Sequence, residues 1–227
     1  MNQYSVFEKW MGSQAETFGA VAFYWVFPLL ASLPYAWSLC DELHGGYAAQ
    51  VMVRTGRKEY FEGKLISSFL SGGTVIACPL VLDLLLLMTL DRTFYPTPND
   101  LISCVMPGSF CSVLYYTHPI LFVLLWTCVE FLWGGTFALL CCALGFYIKK
   151  TVILLPSMLL VYVGESILSE FIIVKRNRYN IEFAWLSLTR ADTMSLNPGW
   201  VIFGSIGLIL LVSFILTLIK GAKYEVL

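Results

Sequence analysis

The chain has 227 residues, of which 58% are apolar, 15% aromatic and 13% charged, and 14 basic against 15 acidic side chains leave a net charge of -1. A soluble domain carries about a quarter charged residues, so the composition argues against one, and it offers no basic face for nucleic acid. Among the stretches that carry no charge are Thr17 to Cys40, Leu65 to Leu82, Phe131 to Ile148 and Thr193 to Ile219, of 24, 18, 18 and 27 residues. Hydrocarbon offers no partner to backbone N–H and C=O groups, so apolar runs of about 20 residues become spanning helices. The fold class that follows is all-α, a polytopic integral membrane helix bundle forming one transmembrane domain over residues 1–227.

In chain order, the first 16 residues hold Glu8, Lys9 and Glu16 without the basic leader of a secretory signal. Five spans are then predicted at about 18–39, 65–90, 118–148, 151–174 and 199–219. The third, at 31 residues, would be about 46 Å long against ~30 Å of hydrocarbon, so it must tilt, bend or emerge. Gly134-Gly135 is the expected place to bend, and Pro156 is expected to kink the fourth span. The segment from Leu101 to Thr117, with Pro107 and Gly108, reads as interfacial or re-entrant rather than as a sixth span. Ser68 with Gly72 and Gly73 with Ala77 follow the small-xxx-small spacing of close helix contacts, with packing inside one subunit favoured over a dimer seam. Of seven cysteines, most lie in apolar runs, where Cys behaves as a small hydrophobe; a bridge between Cys104 and Cys111 stays open. His44 and His118 are too few and too far apart for a metal site, so no metal and no cofactor are expected.

Between the first two spans lies the most polar stretch, Asp41 to Lys64, reading DELHGGYAAQVMVRTGRKEYFEGK. Leu43, Tyr47 and Val51 recur every four residues and Gly56 offers a stop beyond Arg54, which predicts a short amphipathic helix on the membrane surface. A nucleotide-binding loop is excluded: six residues separate Gly56 from Gly63, and Leu65 follows Lys64 where a Ser or Thr would hold magnesium. Any nucleotide would therefore be bound by another chain.

Carboxylates within spans mark transport routes or proton relays, because a charge in hydrocarbon costs several kcal/mol unless paired or wetted. With the amino terminus outside, Asp83, Glu165 and Glu170 fall in the outer half and Glu130 sits near mid-depth; eight cations then lie inside against six outside, a slight positive-inside preference. Asp83 and Glu170 also read as interfacial, the latter pairing with Lys175 or Arg176. Glu130 has no cation in its own span and, with Glu165, is the candidate for a translocation path. The hydrolase elbow, the zincin motif and the paired glutamates of an intramembrane protease are missing, which argues against an enzyme.

The run PLLASLPYAWSLCDELHGGYAAQVMVRTGRKEYFEGKLISSFLSG, from Pro28 to Gly72, combines a proline-bearing span, an acidic residue and glycines at its end, an Arg-x-x-Arg-Lys-x-x-Tyr stretch and a lysine opening the next span. It resembles the membrane subunit of type-2 ATP-binding-cassette transporters of Gram-positive bacteria, and the later order of spans and outer segments is similar over most of the chain. The resemblance implies a multi-pass permease of the bacterial cell membrane, surrounded by lipid, paired with a second permease chain as a homo- or heterodimer, and driven by a separate ATPase subunit. It also implies that the segment is cytoplasmic and docks in that ATPase, with Asp41, Glu42, Gly46, Tyr47, Arg54, Arg57 and Lys58 as the contact region. The chain departs from the family's six spans in lacking the first, which would place Met1 to Thr17 outside, with Trp10 and Phe18 as aromatic anchors at the interface. The expected function is export without catalysis on this chain. A membrane scaffold or immunity protein and a proton-coupled carrier are the alternatives.

Overall fold

The computed structural model describes residues 5–14, 17–90, 96, 105, 108–172, 181, 183–191 and 196–221, with the side chains of 170, 172 and 220 outside that description. Cys104, the side chain of Glu170 and its expected partners Lys175 and Arg176 thus lie outside the described residues, while Cys111 is a free thiol. The described residues are overwhelmingly helical, and four helices are long and apolar enough to cross a membrane, making the chain a polytopic helical membrane protein. Helix α1 is Val6–Lys9, α2 Phe18–Trp25, α3 Phe27–Ser32, α4 Ser38–His44, α5 Tyr47–Thr55 and α6 Arg57–Leu90. Helix α7 is Ser112–Thr117, α8 Pro119–Gly145, α9 Thr151–Ile172, α10 Trp185–Leu188 and α11 Gly199–Gly221. The candidate spans are α6, α8, Thr151–Ser169 of α9 and Gly199–Ile219 of α11.

The first predicted span is a correction, because residues 18–39 do not form one helix. Helix α2 stops at Val26, α3 follows from Phe27 to Ser32, and turns fill 33–37. Proline chemistry explains both breaks. Pro28 has no N–H to give the Tyr24 carbonyl and crowds it, and Pro34 disfavours helical geometry at Leu33. Helix α6 starts at Arg57 rather than near 65, so the polar residues up to Lys64 form its first two turns.

The chain divides into two compact units. The first draws on Met1–Val26, Ala77–Glu130 and Tyr162–Ser205, the second on Phe27–Ile76, Phe131–Val161 and Ile206–Leu227. In the first, Ser5 and Glu8 form a reciprocal capping box that starts α1, the Ser5 N–H donating to Glu8 Oε2 at 2.7 Å. This short helix delivers Trp10 into the core, where its indole N–H donates to the Leu80 carbonyl at 3.1 Å. The Met11 N–H donates to Asp83 Oδ2 at 2.8 Å, and the Ala191 N–H to the Gly12 carbonyl at 3.1 Å. Trp10 is therefore wholly buried and not an interfacial anchor, because a protein carbonyl satisfies the N–H that would otherwise seek the headgroup region. Phe18, by contrast, is exposed. Asn197 ties two loops together: its carbonyl accepts from the Phe110 N–H at 2.8 Å, and its side-chain amide donates to the Ser187 and Arg190 carbonyls.

In the second unit α6 and α8 approach closely. A Cβ at Gly72 would lie 2.5 Å from Ala138 Cβ and 2.8 Å from the Ala31 carbonyl oxygen, and one at Gly134 would lie 2.8 Å from the Gly72 oxygen. The Ser68–Gly72 stripe is thus used within the subunit. Helix α8 continues through Gly134-Gly135, whose missing side chains admit a neighbouring helix instead of interrupting the backbone. Phe69 meets Phe131 edge-on at 5.9 Å, and Phe27 meets Phe137 at 6.0 Å.

Candidate functional site

Two polar constellations stand out in an otherwise apolar molecule, one in each unit. In the second unit the residues from Ser38 onward form two short helices on the way into α6. Gly45 and Gly46 separate them, Gly46 at φ 79°, and Gly56, at φ 86°, ends α5 one residue before α6 begins. Both backbone conformations belong to the left-handed half of φ space, which favours glycine. The predicted stop at Gly56 is where α5 ends. The predicted stripe is not the buried face: the two glycines break the register between Leu43 and Tyr47, and α5 buries Ala48 and Met52 while Tyr47 is 57% exposed.

A clamp fixes this hairpin to α6. Lys64, only 4% exposed, donates from Nζ to Glu42 Oε1 at 2.5 Å, and the Tyr60 hydroxyl donates to Glu42 Oε2 at 2.5 Å. The same ammonium lies 4.0 Å from the centroid of the Tyr35 ring, a cation–π contact. Both carboxylate oxygens and the buried cation are therefore engaged inside the chain, so the charges are paired where burial would otherwise penalise them. Asp41 accepts from the Thr151 hydroxyl, linking α4 to the start of α9.

The remaining predicted contact residues divide cleanly. Asp41, Gly46, Tyr47, Arg54 and Lys58 are exposed. Arg57 is half-buried, one of its terminal nitrogens buried without a hydrogen-bond partner among the described residues. Lys58 makes an exposed pair with Glu62 at 3.7 Å, worth at most about 1 kcal/mol. Sequence reasoning missed Tyr60, Lys64 and Tyr35. Tyr60 and Lys64 are four apart in one helix and so share a face, which was a visible signal; their convergence on Glu42 was not.

In the first unit Glu130 has no exposed surface. The Tyr24 hydroxyl donates to its Oε1 at 2.9 Å, while Oε2 is buried with no hydrogen-bond partner among the described residues. One turn earlier on α8, the Trp126 indole N–H is likewise buried without a partner. Phe122 stacks on Trp126 at 5.8 Å and Phe110 tilts against it at 6.3 Å, sealing the site with rings. Glu165 stands apart in its chemistry. Its Oε1 accepts from the Ser169 hydroxyl at 2.5 Å and its Oε2 from the Trp185 N–H at 2.9 Å, so it caps α10 and orders that loop. A cavity of about 230 Å³ lined by Trp25, Tyr162, Ser166 and Leu186 lies beside this cap. The described residues hold no group of three or more His, Cys, Asp or Glu side chains able to bind a metal ion.

Comparison of the chain with family models, with curated proteins and with solved structures found no match. The physical class, a polytopic helical membrane protein, thus rests on the chain's own composition and structure.

Proposed function

We propose that this chain is the non-catalytic permease subunit of an ATP-driven exporter of the bacterial cell membrane, working with a separate ATP-binding-cassette ATPase and a second permease chain within the lipid. The observation that supports this reading best is the α4–α5 hairpin. It presents Tyr47 and Arg54 outward while Glu42 is gripped by Tyr60 and Lys64 at the foot of a 34-residue helix. A surface element that is rigidly joined to a spanning rod can carry a push from a soluble partner into the membrane.

In this mechanism ATP closes the ATPase pair, the exposed residues Tyr47, Arg54 and Lys58 are pulled, and the clamp passes the displacement to α6. Glu42 then serves the coupling by holding the hairpin, and Gly46 and Gly56 set its two bends. The test is co-purification of the partner ATPase with the chain carrying Tyr47→Ala, Arg54→Ala and Arg57→Ala. Loss of ATPase capture, with the folded chain retained, is expected. Unchanged assembly and ATP turnover would overturn the coupling assignment, and a stable complex with no substrate flux would replace the exporter by a scaffold or immunity protein.

A further inference from the structure

We propose that Glu130, with Tyr24 and Trp126, forms a proton-binding site buried in the first unit. A carboxyl group without solvent contact must pair with a cation, reach water or carry a proton, because an isolated charge in an apolar surrounding costs many kcal/mol. Glu130 has no exposed surface, and among the described residues no Lys, Arg or His nitrogen lies within 4.0 Å of it. Among the described residues, the hydrogen bond that the geometry gives it comes from a neutral phenol, on Oε1. Oε2 is left for the proton.

The same surroundings are also prepared for the proton to leave. Tyr24 already donates to one oxygen, and the Trp126 N–H, one helical turn away on the same face of α8 and without another partner among the described residues, is a ready second donor for the anion. The anion thus has one donor in place and a second on the same helix face, and the acid carries its proton on Oε2. The other titratable groups around the site are the Tyr162 phenol on α9 and the Arg190 guanidinium after α10. A proton taken up here adds charge to a carrier path or sets the state of the chain, and either role is independent of any ATPase.

The test uses the full chain, purified in lipid nanodiscs and treated with dicyclohexylcarbodiimide, which reacts with protonated carboxyls in apolar surroundings; modification is read per residue by peptide mass spectrometry. Labelling of Glu130 is expected at low pH, falling about tenfold for each pH unit above its midpoint. Tyr24→Phe should keep the label and move the fall to higher pH by about one unit, the worth of a hydrogen bond to a charged group. Glu130→Gln should remove the carboxylic acid band from the infrared spectrum. Glu130 that stays unlabelled at every pH would overturn the proposal, as would labelling that ignores both pH and Tyr24→Phe. Should Glu130→Gln fail to fold, the unaltered chain and Tyr24→Phe decide the matter.

Discussion

The Lys64 side chain shows how a charged residue is accommodated in a chain this apolar. Its ammonium meets a carboxylate and an aromatic face at once, and it is almost fully buried. Breaking such a pair strands one charge, so Glu42→Ala should destabilise the chain by about 3 kcal/mol, whereas replacing both Glu42 and Lys64 by Met should cost less than either single change. Thermal unfolding of the detergent-solubilised chain measures both. Gly72→Ala tests packing in the same unit: its methyl group would lie 2.5 Å from Ala138 Cβ, and overpacking of this kind costs about 1–3 kcal/mol. These residues also mark what could be read in advance. Glu130 declared itself as an acid in an uncharged span, but Tyr24 lies 106 positions away and only the fold brings them together. Glu42 came forward through the family resemblance, and its pairing across 22 positions with Lys64 is brought about only by the fold.

At the level of elements, the long helices were legible because a run of apolar residues has one solution in hydrocarbon. The break in the first predicted span was not, since hydropathy counts Pro28 and Pro34 as side chains and is blind to the N–H groups they lack. The hairpin was legible at its end, where Gly56 stops α5, and misread at its face, because the Gly45-Gly46 break resets the helical register. With Gly46 and Gly56 at positive φ, Gly46→Ala should cost about 1 kcal/mol, and Gly56→Ala more, since its Cβ would also meet the Glu59 carboxylate. Hydrogen exchange of the α5 amides should quicken in both. The same measurement tests the amino-terminal strap: Asp83→Ala removes the acceptor of the Met11 N–H and should speed exchange of that amide, while Asp83→Asn, which keeps a carbonyl oxygen, should largely restore its protection.

For the molecule as a whole, composition settled the class, and the described helices fill it in with four candidate spans and a fractured stretch before them. Orientation is a separate question that charge counting barely addresses, since cations are spread over both sets of connecting segments. A single cysteine in place of Tyr47, which is exposed, in a chain otherwise free of reactive cysteines, should be labelled by a membrane-impermeant maleimide from the cytoplasmic side. Labelling of position 47 from outside would reverse the proposed topology and overturn the proposed docking role of the hairpin. The position of Lys64 in α6 has one more implication. The clamp sits where the polar foot of that helix gives way to its apolar length, so acyl-chain length bears directly on it. Thick bilayers draw the ammonium toward the oily interior and make the grip of Glu42 more valuable, whereas thin ones let it hydrate and slacken, so the lipid bath itself becomes a tuning parameter.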